Sequence, residues 1–154
     1  MDEVQNVHLD LTLAAPMQSV YIALTSTKGL RGWWTEHAEV AMTEGGISHF
    51  RFPDAGFETR MEMVELLPFN RVHWRCVGCK HPESSGWQDL EDWAGTELLF
   101  VIRPAEDAQT QLIFVHQGMG PAKESYAATA EGWRRYLEGS LRGYVEDGEG
   151  EPYR

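Results

Sequence analysis

The residues with the most chemical potential lie between positions 73 and 92. Cys76-Val77-Gly78-Cys79, followed by His81, has the spacing of half a zinc site or of a dithiol redox pair. A structural zinc needs four ligands, and the sequence offers one such pair with no second cluster, although His73 or His116 can converge on it. A thioredoxin-like dithiol sits where a strand of a βαβ unit meets a helix, and nothing near residue 79 reads that way. The pair is therefore expected to be reduced and metal-free, with Cys76 facing the core and Cys79 in a loop. Asp89, Glu91 and Asp92 lack the glycine and spacing of a calcium loop and read as a solvated turn.

His116 shares a strand face with Leu112 and Phe114, which points it inward toward Trp133 or Tyr136. An inward imidazole can position a ligand or act as general acid or base, here with Tyr126 or Tyr136 beside it. A core histidine bonded to a tyrosine or to backbone has the same pattern. His49 alternates outward from Phe50, and Arg60 with Glu62 reads as a solvated cross-strand charge pair. No GxGxxG, P-loop, GxSxG or HExxH occurs, which removes the standard nucleotide, nucleophile-elbow and zincin chemistries. No cofactor is implied, and the balance is against an enzyme.

The third constellation is aromatic. Trp33, Trp34, Phe50, Phe52, Trp74, Trp93, Phe100, Phe114 and Trp133 form a set able to wall a pocket for an apolar guest. Met61, His116, Tyr126, Tyr136 and Leu137 join them as candidate ligand-binding residues, although any one of these side chains also suits an ordinary core.

The elements that must position these residues follow from hydrophobic period. Val7, Leu9, Leu11 and Leu13 alternate with polar residues as in a half-buried strand. Pro16 opens a short helix that should run to Gly29, with a second short helix or turn over 30–34. Turn residues then separate runs near 37–43, 47–52, 57–67, 70–77, 95–103 and 110–117, which predict antiparallel strands. The stretch 78–93 is left as a long loop. Trp87 and Trp93 within it need cover, so the loop and the Trp33-Trp34 turn are expected to form a cavity mouth. Three- and four-residue steps from Tyr126 to Tyr144 predict a helix over 122–145. The fold class is α+β: a curved antiparallel sheet of about seven strands gripping a long C-terminal helix around an internal cavity. Residues 1–148 read as one domain and 149–154 as a frayed acidic tail.

Composition narrows the partners. Thirteen basic against 24 acidic residues give a net charge of -11, which repels phosphate backbones and argues against nucleic acid. No window approaches a membrane span, and the acidic, alternating start is unlike a signal peptide. Two cysteines exclude a disulfide scaffold, which makes a reducing cytoplasm the expected location.

Element order and the residues at the joints resemble the activator-of-heat-shock-ATPase homologue family of the START-related superfamily. Those residues are Ala15-Pro16, Leu24-Thr25, Trp33-Trp34, Gly45-Gly46 with Phe50-Arg51-Phe52, Glu65-Leu66 with Pro68 and Trp74, Thr110 through His116, and Gly132-Trp133, Leu137, Ser140-Leu141 and Tyr144. The resemblance covers essentially the whole chain and implies the helix-grip fold. It also implies a small hydrophobic ligand, such as a lipid, polyketide or aromatic compound, as the principal partner. A cyclase, dehydratase or hydrolase using His116 is the alternative on the same cavity. A chaperone-helper role is the third, against which the eukaryotic co-chaperone carries an extra N-terminal domain that this chain lacks. A homodimer is left open.

Overall fold

The alternation seen in the first strand recurs along the whole sheet of the computed structural model, which describes residues 6–154. The acidic start read as unlike a signal peptide falls partly on residues 1–5, outside the described residues. Seven strands form one antiparallel sheet: β1 (Asn6–Leu13), β2 (His37–Glu39), β3 (Ile47–Phe52), β4 (Phe57–Leu67), β5 (Arg71–Lys80), β6 (Glu97–Pro104) and β7 (Thr110–Gln117). Their spatial order is β1-β7-β6-β5-β4-β3-β2, so β1 crosses the domain to pair with β7 from Asn6↔Gln117 to Leu13↔Thr110. The inner face carries Leu9, Leu11, Leu112, Phe114, Leu98, Phe100, Val72, Trp74, Met61 and Phe50, all buried. The outer face carries ion pairs such as Arg51–Glu39 and Arg75–Glu62, as a one-sided antiparallel sheet requires. Glu62 thus pairs with Arg75 on β5 rather than with Arg60.

Two short helices plug one end of the concave face. The sequence predicts the first as far as Gly29, but the chain breaks into α1 (Met17–Thr25) and α2 (Thr27–Trp33) at Ser26. Ser26 is extended, and its hydroxyl accepts from the Gly29 amide at 2.9 Å, which caps α2. Gly29 itself lies against the Ala23 backbone, where a Cβ would stand 2.6 Å from Ala23 Cα, so the two helices meet closely only because that side chain is missing.

The C-terminal helix begins at Tyr126, four residues later than the sequence predicts, and runs through α3 (Tyr126–Arg134), a π-helical stretch (Arg135–Leu141) and α4 (Arg142–Asp147). Its stripe Thr129, Ala130, Trp133, Leu137, Ser140 and Leu141 is buried. Among the described residues no helix is long and apolar enough to cross a membrane.

The last residues are held in place, contrary to the frayed tail expected from their glycines and acids. Tyr153 exchanges backbone hydrogen bonds with the 34–36 segment, donating to Trp34 O and accepting from Glu36 N, each at 2.9 Å. The Tyr153 hydroxyl oxygen accepts from the amides of Asp54 and Ala55, and the Glu151 amide donates to Ser140 Oγ at 2.6 Å. One aromatic anchor outweighs the local composition.

Candidate functional site

A cavity of about 320 Å³ opens between the 3₁₀ turn Pro53–Ala55, the β5–β6 connection and α3. Trp34, Phe52, Phe57, Trp87, Trp93, Trp133 and Tyr136 supply its aromatic wall, and His81, Thr129, Ala55, Ala128 and Gly132 complete it. The space exists because small residues stand where large ones would close it. Ala55 and Ala128 are exposed at the rim, and a Cβ on Gly132 would meet nothing within 4 Å. Burial raises the Tyr136 phenol above its ordinary pKa, so it stays protonated at neutral pH as a hydrogen-bond donor. Apolar walls with a few polar groups are the usual make-up of a small-molecule site.

The structure brings together five of the candidate ligand-binding residues: Trp34, Phe52, Trp93, Trp133 and Tyr136. Trp33, Phe50, Met61, Trp74, Phe100, Phe114 and Leu137 are fully buried in the core or nearly so and do not line the cavity. Tyr126 is half-buried and also lies off it. The β5–β6 connection contributes Trp87 and Trp93 to the wall, whereas Trp33 and Trp34 of the expected mouth are interior, at 0% and 3% exposure. Trp133 stands between Trp34 and Trp93, with ring centroids 5.1 Å and 5.9 Å away. Phe57 escaped sequence reasoning although it opens a strand, and the sequence singles out His81 only for its place after the cysteine pair, not for the wall. Ala55, Ala128 and Gly132 carry no signal of their own, since hydrophobic pattern cannot show a gap.

His116 points inward as predicted but away from the cavity. Its Nδ1 accepts from Trp133 Nε1 at 3.1 Å, which leaves Nε2 protonated and donating to Thr96 Oγ1 at 2.8 Å. Thr96 in turn donates to Trp93 O at 2.6 Å. Burial drives the imidazole pKa down to about 3, with Lys123 adding to the effect, so the ring is neutral at physiological pH. With both nitrogens engaged and the residue at 0% exposure, His116 positions two tryptophans rather than facing a guest.

A second polar network spans the β5–β6 connection and α3. Asp92 Oδ1 accepts from Ser125 Oγ and His81 Nε2, each at 2.9 Å, and Oδ2 accepts from the Ser125 amide at 3.1 Å. Trp93 Nε1 donates to Thr129 Oγ1 at 3.0 Å, which fixes one wall of the cavity to the helix. Asp92 is therefore a buried structural carboxylate, not part of a solvated turn.

Cys79 also departs from expectation. Strand β5 runs to Lys80, and the register against β4 shifts between Arg60↔Gly78 and Met61↔Cys76, a bulge that leaves Val77 without a partner. Residues three apart on a regular strand face opposite ways, but the extra residue turns Cys79 inward beside Cys76, and both are buried. A hydrogen bond from the Cys79 thiol lowers the Cys76 pKa to about 7, helped by Thr59 and the Gly78 backbone against the effect of burial. Cys79, as that donor and in a buried site, is pushed up.

A curved antiparallel sheet gripping one long helix, with an aromatic cavity at one end, defines a helix-grip protein. The family described as Activator of Hsp90 ATPase homolog 1-like protein matches residues 14–146, and the chain belongs to it. Among solved structures it is similar to the Aha1 dimer from Colwellia psychrerythraea, with 29% identity over 94% of this chain and 98% of that one, and a TM-score of 0.77. DynU16, a putative protein in the dynemicin biosynthetic locus, is 20% identical over 95% of this chain and 49% of its own, with a TM-score of 0.71. MLL2253 from Mesorhizobium loti is 16% identical over 86% of this chain and 91% of its own, also with a TM-score of 0.71. The last two likenesses show the fold alone. No curated protein matches in sequence.

Proposed function

We propose that this protein binds a small hydrophobic molecule, a lipid, polyketide or aromatic compound, in the cavity between the β5–β6 connection and α3. The observation that carries this is the space itself, about 320 Å³ walled by seven aromatic side chains and held open by Ala55, Ala128 and Gly132. That volume lies near the lower end of the ~300–1,000 Å³ usual for ligand pockets, which favours a compact guest. His81, Thr129 and Tyr136 are the lining residues able to orient one polar group on it. A catalytic role for His116 gains no support, because both ring nitrogens are already bonded inside the core.

Native mass spectrometry of the purified protein, followed by calorimetric titration with a panel of apolar compounds, tests the proposal. A dissociation constant tighter than roughly 100 μM, about −5.5 kcal/mol, is expected for at least one compound class. Gly132→Leu, which fills the space, should weaken that binding at least tenfold while leaving the fold intact. No binding across the panel, or equal binding by Gly132→Leu, would count against the cavity.

A homodimer in the cytoplasm extends the proposal. It is supported by the dimeric state named for the Colwellia structure and by a chain with two unpaired cysteines. Light scattering after size exclusion reads the oligomeric state directly.

A further inference from the structure

Cys79, His81 and Asp92 reach one point from a strand end and the connection that follows it. Their sulfur, imidazole nitrogen and carboxylate oxygen all lie within 4.8 Å of one another, and the three residues are buried at 8%, 6% and 4% exposure. The backbone explains the convergence. The bulge at Val77 turns Cys79 inward, and the His81 amide donates to Leu90 O at 2.7 Å, folding the connection back so that Asp92 comes opposite the histidine.

The three groups are also held in place by their neighbours. Asp92 takes two hydrogen bonds from Ser125, while the His81 ring stacks on Phe57 at 5.0 Å and meets the edge of Trp87 at 4.9 Å. Ligands of a metal site are commonly oriented by such outer partners, which remove the cost of ordering them on binding. In a tetrahedral zinc site the metal-to-donor lengths of about 2.0–2.3 Å put donor atoms roughly 3.3–3.7 Å apart. The 2.9 Å between His81 Nε2 and Asp92 Oδ1 needs to open by only a few tenths of an ångström.

We propose that Cys79, His81 and Asp92 bind one zinc ion through three protein ligands. One thiolate, one imidazole and one carboxylate suit zinc, whereas magnesium and calcium require oxygen donors. Binding releases the Cys79 thiol proton to solvent, shifts the His81 ring proton from Nε2 to Nδ1 by exchange with water, and replaces the His81–Asp92 hydrogen bond by two bonds to the metal. Three protein ligands leave a fourth position for water or for a donor atom of a guest, and His81 is itself part of the cavity wall. The sequence predicts a metal-free pair because no second cysteine cluster follows, but the third ligand is an aspartate supplied by the fold.

The full-length chain, stripped with a chelator and desalted, is titrated with Zn²⁺ and separately with Co²⁺. One equivalent of zinc should remain after gel filtration, and Co²⁺ should give a thiolate-to-metal charge-transfer band. Cys79→Ser should abolish the band and weaken zinc binding at least tenfold, and His81→Gln should weaken it similarly. Cys76→Ser should retain both zinc and the band. Circular dichroism monitors folding, and His81→Gln decides the matter if Cys79→Ser does not fold. No retained zinc, or equal zinc in wild type and both ligand variants, would overturn the proposal, as would loss of the site in Cys76→Ser alone. The titration contains no organic ligand, so its outcome is separate from that of the cavity experiment.

Discussion

At the end of the concave face covered by α1 and α2, Trp74, Phe100 and Phe114 are fully buried, with ring centroids 4.9 Å and 5.0 Å apart along the row. At the end covered by the β5–β6 connection and α3, Phe57, Trp87 and Tyr136 are only half-buried, around open space. Both ends are lined by aromatic side chains. What differs is the covering layer. Leu24, Leu30 and Trp33 drive bulk into the first end, whereas Ala55, Ala128 and Gly132 face the second. Cavity formation here is decided by the size of the opposing residue, not by the aromatic content of the wall.

The largest effect expected from this contrast is on stability. Phe100→Ala at the filled end should cost about 3–5 kcal/mol in urea titrations, because the hole it leaves is enclosed. Trp87→Ala at the open end should cost less than about 1 kcal/mol, since its ring already borders free space. Similar losses at both sites would dissolve the distinction.

His116 stands behind the cavity wall, bonded to Trp133 and Thr96, and sharpens the contrast between enclosed and open space. Its folded pKa of about 3 lies below the ordinary 6.5, so the unfolded chain takes up a proton that the folded chain refuses. Its contribution is complete above pH 6.5 and falls away as pH drops toward 3. The loss between pH 7 and pH 5 should be about 2 kcal/mol, and His116→Gln should lack that component of the pH dependence. If the ring instead met water in the cavity, wild type and variant would share one pH profile.

The smallest effect separates the helix from the site it lines. A Cβ at either Gly132 or Gly139 meets nothing within 4 Å, so alanine at each should raise stability by up to about 1 kcal/mol. Only Gly132→Ala should also alter ligand affinity, because Gly139 lies away from the cavity. An equal change in affinity from Gly139→Ala would mean that binding follows helix stability rather than space.

Much of this architecture is legible in the chain. Alternation at Val7 through Leu13 and at Thr110 through His116 sets the inner face, and the steps from Thr129 to Leu141 set the buried side of the helix. The site is less legible, for physical reasons. Period alone cannot reveal that Val77 bulges, so it assigns Cys79 to a loop when the bulge keeps it on the strand and turns it inward. Nor can it show that Asp92, read as a solvated acid, is drawn inward by Ser125, or that Tyr153 pins a glycine-rich tail. The same limit applies to the wall, since Phe50 and Phe52 have equal claims by pattern. Only what packs opposite makes one core and the other lining.

The indole rings have an optical consequence. Trp33, Trp34, Trp133 and Trp93 form a chain with successive centroids 6.0 Å, 5.1 Å and 5.9 Å apart, and Trp74 joins at Trp34, 6.0 Å away. At such separations excitation energy migrates between rings faster than it is emitted. Light absorbed anywhere in the group is therefore shared, and a guest touching Trp93 would dim the emission of rings it never meets. Trp34 is the junction of this antenna, so Trp34→Phe would separate the Trp133–Trp93 pair from Trp33 and Trp74, and only that pair would report on the cavity.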